Sequence, residues 1–293
     1  MKNLFLRLQR KILLNLPVTK RQGQPILKNA GSHKKLVLKG PAALDDFNKE
    51  AHILFSDYDS SDRVLIKVNL NSGLPFPASV SLDMLKSLIL LLNQLGIKNI
   101  TVADCSGLTH LPTSKNMKTK ELYSLRSNEI SVRTFDFGRW RNVPVKGQYH
   151  KHIIIPEIAY KVDRIINLSN LKSHRLAGHS GPIKNLVGFM HPRQRYQLHE
   201  DHLVERIAEI PLALVPNINI VDARRIFVDG GPDYGKEVPA DMIIAGTDLI
   251  DIESEAYNLL IDKRKQYNIA ESKCKFEETL LFKHYSKIHG GSI

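Results

Sequence analysis

The sequence predicts an α/β fold with a mostly parallel or mixed sheet and helices on both of its faces. Short apolar runs rich in β-branched residues recur along the chain, and a segment with helical periodicity separates the first two. With 293 residues, of which 42% are hydrophobic and 25% charged, the chain can bury a large core. We expect a basic N-terminal helix and linker over residues 1–40 and an α/β domain over 41–293. Two lobes, divided near residues 140–160, are the alternative to one.

The first strand–helix–strand unit is the clearest element of the pattern. Residues 62–70 form an apolar run, residues 81–95 carry leucines at helical spacing before Gly96, and residues 99–103 form a second strand. This spacing predicts a right-handed crossover between two parallel strands. Further strands are predicted at residues 131–135, 152–155, 165–168, 218–222, 226–228 and 242–245, and further helices at 114–126, 199–215, 250–261 and 276–288.

The N-terminus predicts a basic amphipathic helix that ends at Pro17. Leu4, Leu8 and Ile12 recur at helical spacing with lysines and arginines between them. Such a helix packs on its own domain or, alternatively, binds a membrane surface through residues 1–21. The charges interrupt the apolar run, so a signal peptide is not expected. No apolar run approaches the roughly 20 residues of a membrane span.

Charge and cysteine content restrict the classes of partner. The net charge of +12 and the isoelectric point near 9.6 favour an anionic small-molecule substrate, a phosphorylated cofactor or nucleic acid. Helix-turn-helix, zinc-finger and RNP signatures are missing from the sequence, which disfavours nucleic acid. Cys105 and Cys274 have no metal-binding spacing, so we expect neither a disulfide framework nor an iron–sulfur cluster. A reducing cytoplasm fits this composition.

The stretch 163–201 contains most of the chemistry. A predicted strand at 165–168 leads into a loop of cationic or titratable groups and small residues that allow a ligand to approach the backbone. Pro182 then suits the first position of a helix whose N–H groups and dipole would attract an anion. The groups of interest are Lys172, His174, Arg175, Gly178, His179, Ser180, Gly181 and Lys184.

A second loop follows the strand at 99–103. It contains Asp104, Ser106 and His110, and open α/β sheets bind ligands beyond the carboxyl ends of their strands. Asp222 and Asp248 also follow predicted strands and could ring the same edge, although Asp248 is equally suited to cap the next helix. The sequence therefore predicts a ligand site that combines both loops.

With these residues in view, the chain resembles the family of domain of unknown function 362 over about residues 62–260. The resemblance rests on VLIKVNL at 64–70, NLSNLKSH at 167–174, GPIKNLVG at 181–188, His199, IVDA at 220–223, GGP at 230–232 and GTD at 246–248. Several members of that family carry an appended ferredoxin segment, whose cysteines this sequence lacks.

A more distant similarity links the chain to the nickel-pincer lactate racemases. His174, Gly178, Gly181, Lys184 and His199 follow the order and spacing of that family, and GLTHLP around His110 is similar to one of its loops. The similarity implies that Lys184 carries the pincer nucleotide and that His199 binds nickel. It also implies that His110 and His174 exchange protons on opposite faces of a 2-hydroxy acid. Lys172, Gly178, Ser180 and Gly181 are expected to help bind the cofactor.

Three functions remain open at this point. The first is a racemase or epimerase that acts on a 2-hydroxy acid at an anion-binding site around His174 and Lys184. The second is a non-catalytic protein whose basic loop holds a phosphate or nucleotide. The third is a protein that associates with a membrane surface or nucleic acid through its basic N-terminus.

Overall fold

The computed structural model describes residues 11–20, 23–29, 31–269 and 274–290. Most of the predicted N-terminal helix, residues 1–10, lies outside the described residues, and so does residue 21 of the proposed membrane-binding segment. Residues 11–14 are helical, and Leu13 is fully buried within a core cluster. This part of the N-terminus therefore packs against the protein itself.

A mixed sheet forms the centre of the protein. Its strands are β2 (Lys35–Lys39), β3 (Arg63–Lys67), β4 (Asn99–Asp104), β5 (Ile130–Thr134), β8 (Arg164–His174), β9 (Gly178–Ser180), β10 (Ile218–Gly230) and β11 (Gly235–Gly246). They lie in the order β2-β11-β10-β8-β3-β4-β5, and β9 pairs with β8. The predicted α/β fold with a mixed sheet is confirmed, and β2 lies within the segment predicted to be a linker.

The direction of the strands places a topological switch point at the centre of the sheet. Strands β10, β8, β3, β4 and β5 are mutually parallel, whereas β11, β2 and β9 pair antiparallel to their neighbours. From β3 the chain continues outward to β4 and β5, and from β8 it continues in the opposite direction to β10. The β3–β8 pair is thus the point where ligands bind in open α/β sheets.

Helices cover both faces of the sheet, as predicted. They are α1 (Ala43–Glu50), α2 (Leu82–Gln94), α3 (Thr113–Thr119), α4 (Pro182–Asn185), α5 (Pro192–Leu198), α6 (Leu203–Ala208), α7 (Leu249–Gln266) and α8 (Leu280–His289). Helices α1 and α2 pack on Val64 and Ile66, whereas Leu65 of the same strand belongs to the cluster that contains α4. Because adjacent residues of a strand face opposite sides, these clusters are two separate layers of core.

A second, smaller sheet occupies the region where a lobe boundary was considered. Strands β1 (Val18–Lys20), β6 (Trp140–Pro144) and β7 (His152–Pro156) form it. Trp140, Val143 and Ile153 are fully buried in the same cluster as Leu65 and Ile165 of the main sheet. The small sheet and the main sheet therefore share one core.

Two helix predictions can be compared directly with the structure. The single helix predicted over residues 199–215 is wrong, because α5 ends at Leu198 and α6 begins at Leu203. His202, which precedes α6, has a positive φ of 48°, so a continuous helix cannot pass through it. By contrast, Asp248 caps α7 as expected, accepting hydrogen bonds from Ile250 N and Asp251 N at 2.9 and 2.8 Å.

Candidate functional site

A cleft of about 520 Å³ opens beyond the carboxyl ends of β3, β4 and β8. Lys67 ends β3, Asp104 ends β4, and Lys172 and His174 end β8. The cleft therefore lies at the switch point, where the loops after β3 and β8 separate. The segment from α4 to α5 provides its other wall through Lys184, Asn185, Gly188, Arg195, Tyr196 and His199, and the turn between β10 and β11 provides Pro232 and Asp233.

Lys67 and Asp104 form a buried ion pair in the wall of the cleft. Their charged atoms are 2.9 Å apart, and both side chains are at most 3% exposed. Lys67 Nζ also donates to Asn185 Oδ1 and to the Val68 carbonyl, each at 2.8 Å. The Asp104 carboxylate accepts from Leu70 N and Cys105 N, both at 2.7 Å. The charge of Lys67 is thus compensated within the protein.

Arg195 introduces a buried positive charge that the protein does not compensate in this way. It is 3% exposed, and its Nε and Nη1 atoms donate only to main-chain carbonyls, those of Met190, Cys105 and Ser106. Its Nη2 atom is buried without a hydrogen-bond partner. In the described part of the chain no carboxylate lies within ion-pair distance of it, although the charge of Arg195 acts on the buried Asp136. A buried unpaired cation is costly, so the site is suited to an external anion.

Lys184 places a second uncompensated amine in the same cleft. Within the described ranges its Nζ has no hydrogen-bond or ion-pair partner. Burial, reinforced by the charges of Lys67 and Arg195, lowers the pKa of Lys184 to about 8. Lys172 lies beside it, donating to the Ala78 carbonyl and to Asn69 Oδ1 at 3.2 Å, and burial lowers its pKa to about 7. The cleft therefore concentrates positive charge.

His174 lines the cleft as a neutral imidazole with a defined tautomer. Its Nδ1 atom accepts hydrogen bonds from Leu176 N and Ala177 N at 3.2 and 3.1 Å. Burial, followed by the charges of Lys184 and Lys172, lowers its pKa to about 2. Since Nδ1 must remain unprotonated to accept these bonds, the ring proton lies on Nε2. His174 is thus arranged to donate a hydrogen bond rather than to accept a proton.

His110 reaches the cleft through Asp233. His110 Nε2 lies 2.9 Å from Asp233 Oδ2, and Asn71 Nδ2 donates to the other carboxylate oxygen at 2.8 Å. Asp233 lines the cleft that also contains His174. A carboxylate that binds Nε2–H leaves Nδ1 as the free acceptor of the imidazole. The loop of His110 and the strand end of His174 thus meet at one cleft, with His110 at its edge.

The loop predicted to bind an anion is partly occupied by the protein's own carboxylate. Helix α4 begins at Pro182, but the N–H of Ile183 donates to Glu253 Oε2 at 2.7 Å. His179 Nε2 binds the other Glu253 oxygen at 2.6 Å. A Cβ added at Gly181 would lie 2.7 Å from Glu253, so the small size of this residue accommodates that side chain. At the helix start predicted to attract an anion, the N–H of Ile183 is therefore already bound by the protein's own carboxylate, Glu253.

The structure brings together six of the residues singled out in the sequence. All six line the cleft, with His199 exposed at the end of α5: Asp104, Lys172, His174, Ser180, Lys184 and His199. Gly178 and Gly181 support the turn behind it; Gly178 has a φ of +78°, which suits glycine at that position. Sequence reasoning missed Lys67, Asn69, Asn185, Arg195 and Asp233 as site residues. The position of Lys67 within the apolar run of β3 was the one sequence feature that could have indicated its role in the site.

Comparison with known proteins identifies the family. The family model described as domain of unknown function (DUF362) matches residues 64–258, which is more than half of the chain. The chain belongs to this DUF362 family. The match includes Lys67, Lys172, Lys184 and Arg195, so the cleft lies within the family domain. The resemblance to this family is thereby confirmed.

Solved and curated proteins add little beyond the family. One similar solved structure is that of a protein from Thermotoga maritima, with 14% sequence identity and a TM-score of 0.46. The alignment covers 78% of this chain and 60% of the Thermotoga chain, so this chain spans less than two thirds of that protein's length. No curated protein matches the chain.

Among residues 11–20, 23–29, 31–269 and 274–290, no helix has the length and apolar character needed to cross a membrane. Over the same ranges, no three His, Cys, Asp or Glu side chains are grouped so that they could hold a metal ion.

Proposed function

We propose that this DUF362 protein binds a small anionic molecule, a carboxylate or a phosphate, in the cleft between β3 and β8. The observation that carries the proposal is the pair of cations, Lys184 and Arg195, that face one cleft without a carboxylate partner among the described residues. Lys184 and Arg195 line the same cleft, and the charge of Arg195 contributes to the lowered pKa of Lys184. An arginine and a lysine together suit the oxygens of a carboxylate or phosphate.

Hydrogen-bond donors around the two cations support the same ligand class. His174 contributes a neutral Nε2–H group, because its Nδ1 is engaged by the backbone. The two carboxylates of the cleft are held by other groups: Asp104 pairs with Lys67, and Asp233 binds His110 and Asn71. These carboxylates therefore repel an anion less strongly, and the part of the cleft around Lys184 and Arg195 stays positive.

The affinity for an anion should decrease as the pH rises through about 8. Lys184 has a pKa of about 8 in the free protein, and an anion binds better to its charged form. Full affinity is thus expected below pH 7, with a loss of at least about tenfold between pH 7 and pH 9.5. Calorimetric titration of the full chain with sulfate and with acetate tests this, because neither probe titrates in that range. Absence of binding of both anions at pH 6.5 would refute the proposal.

An isomerase of 2-hydroxy acids is a second candidate function. Lys184 favours it, because a pKa of about 8 leaves a fraction of the amine neutral and able to form a covalent bond near pH 7. Lys184 and His199 line one cleft and fit the attachment point and the metal ligand of a nickel-pincer nucleotide. When bound, that group would supply a hydride acceptor. His110, oriented by Asp233, would accept the substrate proton, and His174 would donate a hydrogen bond.

Intact mass and nickel content test this second function. The chain should be produced with a nickel-pincer biosynthetic system, beside Lys184→Ala and beside Lys86→Met, an exposed lysine outside the cleft. A covalent adduct with nickel is expected in the unchanged chain and in Lys86→Met, and it should be lost in Lys184→Ala. The alternative outcome is that the chain has the mass of the unmodified polypeptide when it is produced in a system that loads a known racemase. That result would contradict the second function, and Lys184 would then be a non-covalent ligand of the anion.

A further inference from the structure

Four apolar side chains line the cleft together with its cationic groups. Leu176 and Tyr196 line the cleft and are 67% and 51% exposed, respectively. Leu108 and Val187 line it as well and are half-buried. Single exposed apolar side chains are common on protein surfaces, but four that line one cleft give it an apolar lining beside its cationic groups. Such a surface indicates contact with an apolar part of a ligand.

The cleft is larger than a small hydroxy acid requires. Its volume of about 520 Å³ lies within the range of roughly 300–1,000 Å³ typical of sites for drug-sized ligands. Lys184 and Arg195 line this one cleft, and under the proposed function they bind one anionic group. A ligand with a single acidic group would therefore leave much of the cleft empty unless it also carried a larger body.

We infer that the ligand is an amphipathic acid, with one anionic group at Lys184 and Arg195 and an apolar chain or ring against Leu176, Tyr196, Leu108 and Val187. This inference rests on the proposed anion-binding function and specifies its ligand class. Burial of the apolar part excludes water around the anionic group, which strengthens its attraction to the two cations. Short acids such as lactate would lack this contribution.

A series of straight-chain acids from acetate to octanoate measures the apolar contribution. At pH 7 the carboxylate is charged. Each methylene that is buried against the four apolar side chains should then increase the affinity by roughly fourfold. Octanol and octylamine, which lack the negative charge, should bind far more weakly than octanoate. Leu176→Asn should decrease the affinity for octanoate and leave that for acetate unchanged. Leu90→Asn, at an exposed leucine of α2 outside the cleft, should alter neither.

The outcomes separate the two proposals. An affinity that is equal for acetate and octanoate, with dependence on Lys184 retained, overturns the amphipathic ligand and leaves anion binding intact. If octanol bound as tightly as octanoate, the cations would have no role in binding, and the proposed function would be overturned with the inference. A rise in affinity along the series that Leu176→Asn reduces supports the inference.

Discussion

Replacement of Lys184 by Met is expected to decrease the affinity for anions and, at the same time, to stabilise the ligand-free protein. A hydrogen bond to a charged group contributes about 1.5–3 kcal/mol, so acetate or sulfate should bind roughly 10- to 150-fold more weakly. The free energy of unfolding at pH 7 should increase by about 1–3 kcal/mol, because Lys184 is a charge without a partner, partly screened by water in the cleft. Calorimetry and chemical denaturation measure the two effects.

The size of the stability effect depends on pH in a way that identifies its cause. The pKa of Lys184 is lower in the folded protein than in the unfolded chain, so the unfolded chain binds more protons above about pH 8. The stability of the unchanged protein should therefore rise from about pH 8 towards the ordinary lysine pKa, and the advantage of Lys184→Met should shrink over that range. Lys86→Met, at an exposed position outside the cleft, serves as the matched control. Equal stability of both variants at pH 7 would contradict an uncompensated charge at Lys184.

Most of the fold could be predicted from hydrophobic periodicity. The unit from β3 through α2 to β4 was predicted within a few residues, because α2 has both a leucine stripe and a Ser81 cap that accepts from Met84 N. Strand β8, which is buried along its whole length, appeared as an apolar run only over residues 165–168. Its remaining residues include Lys172 and His174. Because these side chains are polar, a pattern of hydrophobic residues does not reveal that this part of the strand is buried.

Site residues that are close together in the sequence could be predicted. Site residues that only folding brings together could not. Lys172, His174, Ser180 and Lys184 lie on one stretch, so their convergence follows from local reasoning. Arg195 lies on α5 in a segment of mixed polar residues, and no sequence pattern distinguishes its buried guanidinium from the exposed Arg193 two positions earlier. The pairing of His110 with Asp233 joins residues that are 123 positions apart, which a single sequence does not reveal.

Lys67, which the sequence analysis did not single out, is expected to have the largest effect on stability. Lys67→Met leaves Asp104 as a buried charge without its partner, and removal of one member of a buried pair costs about 3–5 kcal/mol. Hydrogen bonds of Lys67 to Asn185 and the Val68 carbonyl are lost as well. Denaturant unfolding at pH 7 measures the loss. Lys98→Met is the matched control, because Lys98 pairs with Glu129 at 3.3 Å while 73% exposed, and should change stability by less than about 1 kcal/mol.

The double variant Lys67→Met with Asp104→Asn distinguishes a lost charge partner from lost packing. In Lys67→Met the Asp104 carboxylate is buried without its cation, whereas a packing defect would remain whichever residue occupies position 104. Lys67→Met with Asp104→Asn should recover part of the loss at pH 7, because the uncompensated carboxylate is gone. If the double variant were no more stable than Lys67→Met, the unpaired Asp104 carboxylate could not be the cause of the lost stability.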